Sequence, residues 1–202
     1  MTIWAILPVK PLSQSKTRLA HILSPAERAD LTQQLLEHTL QVLQQVPAIA
    51  QTLVVSRDAA VLHTAQRYHT DTFTEHEPFH LKTAVTQAAK YATLQGVNSI
   101  LIIPADLPFL QAYEIQNILN EISTAENCII CPDEKQNGTN ALMLPPSINF
   151  RFQYGPGSYQ KHLAEAQRLK ITIKSITTPG ICFDLDTEAD WHIYQQALGV
   201  NS

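Results

Sequence analysis

Apolar residues in this chain fall into short runs, separated by longer stretches in which they recur every three or four positions. Ile3–Leu7, Leu53–Ser56, Ile100–Ile103, Ile129–Cys131 and Ala141–Leu144 are too short for helices and read as strands. A short extended piece is expected near Phe73, and Ile171–Ile176 alternates as a strand does. Between these runs lie helical patterns. Ser24-Pro25-Ala26-Glu27 combines a capping serine, a first-turn proline and a glutamate able to reach back to the cap. The helix it starts should run to about Gln45, with Leu31, Leu35, Leu36, Leu40 and Leu43 on one face. Asp58 caps a helix to about His69, and another spans Leu81 to Gln95 before Gly96. Further helices are expected over Gln111–Ser123, from Ser158 to about Leu169, and after Thr187, which has Asp190 three positions on and Gly199 past the end.

Strands alternating with helices predict an α/β fold: a mixed, mostly parallel sheet flanked by helices, Rossmann-like. The strands from Ile129 onward lack long intervening helices, so some of them should be antiparallel. No Pro/Gly/Ser linker interrupts the pattern, and 202 residues suit a single domain over 1–202. In open α/β sheets, ligands gather beyond the carboxyl ends of the strands, so the residues just past each strand matter most.

Charge narrows the function classes. A formal net charge of -4 and a pI near 6.0 disfavour a nucleic-acid partner or a membrane surface. No run approaches the roughly 18 apolar residues of a membrane span. The first residues read as strand rather than as a secretory signal, so a cytoplasmic location is expected. The odd set Cys128, Cys131 and Cys182 fits a reducing compartment. Cys128-Ile129-Ile130-Cys131 lies in an apolar run, where cysteine acts as a small hydrophobe rather than as half a metal site.

Five segments carry candidate chemistry; one, Lys135-Gln136-Asn137-Gly138-Thr139-Asn140-Ala141-Leu142, puts a glycine and three small polar groups before a strand. After the first strand, Lys10, Lys16 and Arg18 fall within nine residues, interleaved with hydroxyls. They could neutralise a triphosphate, although the segment lacks P-loop glycines and also reads as an exposed polar loop. Asp106 follows the apolar strand Ile100–Ile103, a position suited to a metal ligand or to a turn cap. Tyr154-Gly155-Pro156-Gly157-Ser158 precedes a helix and reads either as an anion site or as a plain loop with Ser158 as its cap. His162 comes four residues later, and a lone helical histidine is more often core or surface than catalytic. In Phe183-Asp184-Leu185-Asp186-Thr187, extended geometry would put Asp184 and Asp186 on one face. Two like charges that close are costly unless a cation lies between them; the plainer reading makes Asp186 or Thr187 a helix cap.

Together these motifs resemble the small guanylyltransferases of coenzyme F420 biosynthesis, the 2-phospho-L-lactate guanylyltransferase family, some of whose members use phosphoenolpyruvate or 3-phosphoglycerate. The likeness runs nearly end to end. It rests on Leu7-Pro8-Val9-Lys10 with Ser15-Lys16-Thr17-Arg18-Leu19, Pro104-Ala105-Asp106-Leu107-Pro108, Asn137-Gly138-Thr139-Asn140-Ala141-Leu142, Tyr154-Gly155-Pro156-Gly157-Ser158 with His162, and Asp184-Leu185-Asp186-Thr187. The resemblance implies a nucleotide-diphospho-sugar transferase-like fold. It also implies attack of a phosphorylated three-carbon acid on the α-phosphate of GTP, with Mg²⁺ as cofactor and pyrophosphate leaving. On that likeness Lys16, Arg18 and Asp106 are catalytic, and Pro8, Lys10, Lys16 and Lys82 face the nucleotide. Asp106, Asp184 and Asp186 hold the metal, and Thr139, Asn140, Gly155 and Ser158 cradle the acceptor. The partners are then GTP and a small phosphorylated acid, with room for a homodimer. The chain departs from the family's Gly-Leu-Asn-x-Ala at His80-Leu81-Lys82-Thr83-Ala84, where Lys82 would supply a phosphate contact instead. Two alternatives stay open at this level: a related nucleotidyltransferase with another nucleotide or acceptor, and a non-catalytic nucleotide-binding homologue.

Overall fold

The computed structural model describes residues 1–121 and 128–199. The end of the helix expected to reach Ser123 lies outside the described residues. Helices α1 (Pro25–Gln44), α2 (Ala59–Arg67), α3 (Leu81–Leu94), α4 (Ala112–Asn120), α5 (Ser158–Leu169), α6 (Pro179–Cys182) and α7 (Glu188–Ala197) surround strands β1 (Ile3–Pro8), β2 (Ile49–Ser56), β3 (Asp71–Thr74), β4 (Ser99–Ile102), β5 (Cys128–Pro132), β6 (Thr139–Leu144) and β7 (Ile173–Ser175). The sheet order is β3-β2-β1-β4-β6-β5-β7. β1, β2, β3 and β4 pair in parallel, and β6 runs antiparallel to both of its neighbours, β4 and β5. β5 and β7 pair in parallel again, so β6 is the one reversed strand of the sheet among the described residues.

Strand alternation divides the core into two layers. Leu101 and Ile103 face α1, α2 and α4 with Leu36, Leu40, Val61, Ile115 and Ile118, while Ile100 and Ile102 face α3 and α5 with Val85, Ala88 and Ala166. Burying each such large aliphatic side chain stabilises the fold by about 1.5–3 kcal/mol. α1 begins as its sequence dictates: Ser24 Oγ accepts from the Glu27 amide at 3.3 Å, and Glu27 returns a carboxylate to the Ser24 amide at 2.8 Å. Thr187 and Asp190 close the same reciprocal box at α7.

A third apolar cluster matters most for the site. Leu19, Leu23, Leu31, Leu35, Phe183 and Leu185 pack together, with Trp191 and Tyr194 against them. It ties the loop after β1 to the segment before α7. Phe183 and Leu185 are driven inward, which leaves the alternate residues Asp184 and Asp186 on the open side.

Several boundaries differ from expectation for local reasons. β2 starts at Ile49 rather than Leu53, because Ile49, Gln51 and Thr52 complete the ladder to β1 despite two polar side chains. β6 starts at Thr139 rather than Ala141, because Thr139 pairs with Pro132 across a bulge. β7 is shorter than its alternating pattern. The turn of helix at Pro179–Cys182 has no counterpart in the sequence pattern; it is held by the Gly180 amide donating to the buried Glu114 carboxylate at 2.7 Å. Any side chain at Gly180 would collide with that carboxylate and with the Phe109 carbonyl. The helix after Gly157 is entered through a left-handed residue, with Ser158 inside the first turn rather than capping it.

Candidate functional site

A cleft of about 450 Å³ opens at the sheet edge that carries the C-terminal ends of β1, β2 and β4. Because β6 is reversed, its beginning reaches the same edge. Pro8, Lys10, Lys16, Arg18, Asp106, Thr139, Asn140, Gly155, Ser158, Asp184 and Asp186 all line this cleft. Lys82 does not. It sits on the exposed first turn of α3, while Leu81 and Ala84 of that turn line the cavity.

The centre of the cleft is ionic. Lys16 Nζ lies 3.0 Å from Asp106 Oδ2 and 3.2 Å from Asp186 Oδ1, and its side chain is only 5% exposed. Arg18 reaches the other oxygen of Asp186 at 3.2 Å from a mostly exposed position. Lys16 has left-handed backbone (φ 50°), an uncommon conformation for a residue with a side chain, and it starts the short 3₁₀ turn Thr17–Leu19. Burial alone would lower the Lys16 pKa. The charges and hydrogen bonds of Asp106 and Asp186 together outweigh it, so the ammonium is held above its ordinary value. The Leu185 amide donates to the Asp106 carbonyl at 3.0 Å, which fastens the two acidic segments to each other. Burial, and then the nearby charges of Asp106 and Asp186, push the Asp184 carboxyl up to about 6 against a hydrogen bond from Asn140. Among the described residues, no three His, Cys, Asp or Glu side chains form a ready-made metal cage.

One wall of the cleft is built from turns. Asp133, just after β5, accepts from the Asn137 and Gly138 amides, both at 2.8 Å. A Cβ at Gly138 would lie 2.8 Å from Asp133 Oδ2, so a side chain here would push that carboxylate off the turn. Asn137 in turn accepts the Gly157 amide on its side chain at 3.1 Å and the Tyr159 amide on its carbonyl at 3.2 Å. The Ser158 amide is bonded to the Gly155 carbonyl at 3.0 Å. The amides at the start of α5 are thus engaged inside the protein, and hydroxyls face the cleft in their place. Asn140 donates to the carbonyls of Ile181 (2.8 Å) and Cys182 (3.2 Å) and, at 3.4 Å, to Asp184. Its amide braces the acidic segment.

The opposite wall holds residues that sequence reasoning passed over. Arg57, one position past β2, donates to Gln14 at 2.7 Å and pairs with Glu75 at 3.3 Å. Its guanidinium lies 4.3 Å from the centroid of the Phe79 ring. Glu75 comes directly after β3 in the same way, and Asp133 directly after β5. The rule that ligands meet the ends of parallel strands would have found Arg57 and Glu75 had it been applied after every strand rather than after β1 and β4 alone.

Solved proteins described as nucleotide-diphospho-sugar transferases share this fold. A Desulfovibrio desulfuricans protein described as a candidate enzyme of that class superposes with a TM-score of 0.77 at 17% identity, over 100% of this chain and 90% of its own. The 4-diphosphocytidyl-2C-methyl-D-erythritol synthase of Anaerococcus prevotii superposes at 0.68 and 12% identity, over 98% and 96%. The chain belongs to the guanylyl transferase CofC like family, whose model matches residues 3–193. It is 34% identical to the phosphoenolpyruvate guanylyltransferase of Rubrobacter xylanophilus, over 99% of this chain and 97% of the relative. It is 29% identical over 191 residues to the 2-phospho-L-lactate guanylyltransferase of Methanosphaera stadtmanae, covering 93% and 81%.

Proposed function

We propose that this chain transfers GMP from GTP to a phosphorylated three-carbon acid with release of pyrophosphate, and that phosphoenolpyruvate is the first acceptor to test. The observation that carries the reading is the meeting, in one cleft, of the Lys16–Asp106–Asp186 cluster with Asp184 and a hydroxyl-lined turn opposite them. The names of the Rubrobacter and Methanosphaera relatives supply the reaction class.

The aspartates fit Mg²⁺. They are hard oxygen donors, Asp106 past β4 and Asp184 and Asp186 between α6 and α7, and Asp184 is pushed up to about 6 by burial and then by the charges of the other two, which a divalent ion would offset. Mg²⁺ needs only one or two carboxylates when phosphate oxygens and water fill its remaining positions, so a complete protein cage is unnecessary. When bound, it would neutralise phosphate charge and stabilise the leaving pyrophosphate. Lys16 and Arg18 offer cations to the triphosphate, and Lys10 lies at the same rim. A phosphate oxygen of the acceptor forms the new bond to the α-phosphorus as the bond to pyrophosphate breaks. That oxygen is already anionic, so no side chain need remove a proton, and the chain contributes positioning and charge.

The test is pyrophosphate release from purified protein with each nucleoside triphosphate, Mg²⁺, and phosphoenolpyruvate, 2-phospholactate or 3-phosphoglycerate. Turnover with GTP and one of these acids is expected, and no release with any pair would overturn the proposal.

A further inference from the structure

His162 is fully buried, lies one turn into α5, and is boxed by the rings of Phe150 (5.6 Å) and Tyr154 (5.0 Å, edge-on). Its hydrogen bonds fix its proton. The Gln153 backbone amide donates to Nε2 at 2.9 Å, and an amide N–H cannot accept, so Nε2 carries no hydrogen. The ring is neutral, because burial drives its pKa down to about 4. The remaining proton is therefore on Nδ1, which lies 3.1 Å from Thr139 Oγ1 and must be the donor there. Ser158 Oγ donates to the same oxygen at 3.3 Å. A hydroxyl oxygen has two lone pairs, and both of Thr139's are taken. Its own hydrogen is left over, on a residue that lines the cleft.

We infer that His162 is a positioning residue: by filling a lone pair of Thr139 it turns that hydroxyl into an obligate donor, aimed at an anionic oxygen of the acid acceptor. This rests on the function proposed above, with the acid seated at the hydroxyl-lined turn of Thr139 and Ser158. A histidine in this role never touches substrate and transfers no proton. Its work is to stop Thr139 from turning its hydrogen inward, where it would present a lone pair to an anion and repel it.

Two measurements test this without confusing it with the proposed reaction. Two-bond ¹⁵N–¹H spectra of the histidines in the intact protein should show His162 protonated on Nδ1 and bare on Nε2 near neutral pH; the opposite tautomer would overturn the inference whether or not the enzyme turns over. In steady state, His162→Phe should raise the acceptor KM about tenfold, as expected for one hydrogen bond to a charged group, with kcat and the GTP KM within about twofold. His162→Asn, which keeps a donor where Nδ1 stands, should recover most of that loss. Thr139→Val should match His162→Phe, and the double variant should be no worse than Thr139→Val alone. Additive losses, or an equal rise in the GTP KM, would reduce His162 to a packing residue and sink the idea. If His162→Phe does not fold, the His162→Asn and Thr139→Val pair with the tautomer spectrum decides. If the wild type turns over no acid, the proposed function fails, while the spectrum and phosphoenolpyruvate binding to wild type and Thr139→Val still judge His162.

Discussion

The two walls of the cleft are built on different principles. On the wall we propose for the acceptor, Thr139, Ser158 and His162 are buried, and the turns around them are fastened amide by amide to Asp133, Asn137 and the Gly155 carbonyl. On the opposite wall, which we propose for the nucleotide, Lys10 is exposed and Arg57 is held by side chains alone: Gln14, Glu75 and the half-exposed Phe79. Backbone-fixed groups keep their geometry before a ligand arrives, which lowers the entropic cost of binding. Partly exposed ion pairs are weak, so a charged ligand can exchange them at little cost. On the proposed reading, the backbone-fixed wall would discriminate among small, similar acids, and the side-chain wall would grip charge.

The acidic centre between the walls should give the largest effect. Asp184→Asn or Asp186→Asn is expected to lower kcat roughly 1000-fold, about 4 kcal/mol of transition-state stabilisation, with circular dichroism unchanged. Near-wild-type turnover in either would show that these carboxylates are not the metal's. The next effect is on the stability of the acceptor wall in acid. Burial holds the His162 pKa down to about 4, opposed by the Glu165 charge and assisted by Lys161. The unfolded imidazole titrates near 6.5, so as pH falls the unfolded chain takes up this proton first. The contribution is therefore complete above about pH 6.5 and lost as pH drops toward about 4, roughly 3 kcal/mol in all. Tm measured over that window should fall less steeply in His162→Asn than in the wild type; parallel curves would mean that His162 is not the group responsible. The smallest effects separate the walls directly. Gly138→Ala drives a Cβ against Asp133 and should raise the acceptor KM about tenfold while sparing GTP. Arg57→Ala should do the reverse, raising the GTP KM only about threefold as fits a partly exposed ion pair. The same response from both variants would erase the distinction between the walls.

The elements with strong periodicity were legible from sequence: the leucine face of α1, the apolar β4 and the capping boxes of α1 and α7 all lie where local chemistry puts them. That Lys10, Lys16, Arg18, Asp106, Asp184 and Asp186 gather in one cleft was legible in part, because they stand past strands or come in motifs. Asp184 and Asp186 share a side as alternation suggested, but the cause is tertiary: Phe183 and Leu185 are pulled into a cluster with α1. Long-range geometry was not legible. No local pattern announces that the Lys16 ammonium bridges Asp106 and Asp186, ninety and more residues away. None reveals that Gly180 must be bare to admit Glu114. Lys82 illustrates the opposite error. Motif position placed it beside the nucleotide, but helical phase turns it outward and gives the cavity to Leu81 and Ala84.

The reversed direction of β6 has a consequence for how such enzymes diverge. Parallel strands offer the cleft their last residues, each leading into a loop bound to its own helix. β6 offers its first residues, preceded by the turn after β5 and answered by the glycines before α5. Everything assigned to the acid therefore lies within one continuous stretch, residues 133–162, crossing neither the phosphate-gripping loop nor the wall of Arg57. Such a stretch behaves as a cassette. On the proposed function, substitutions inside it would retune which acid is accepted and leave the nucleotide side unchanged, so exchanging it between relatives would be the shortest route to altered acceptor choice.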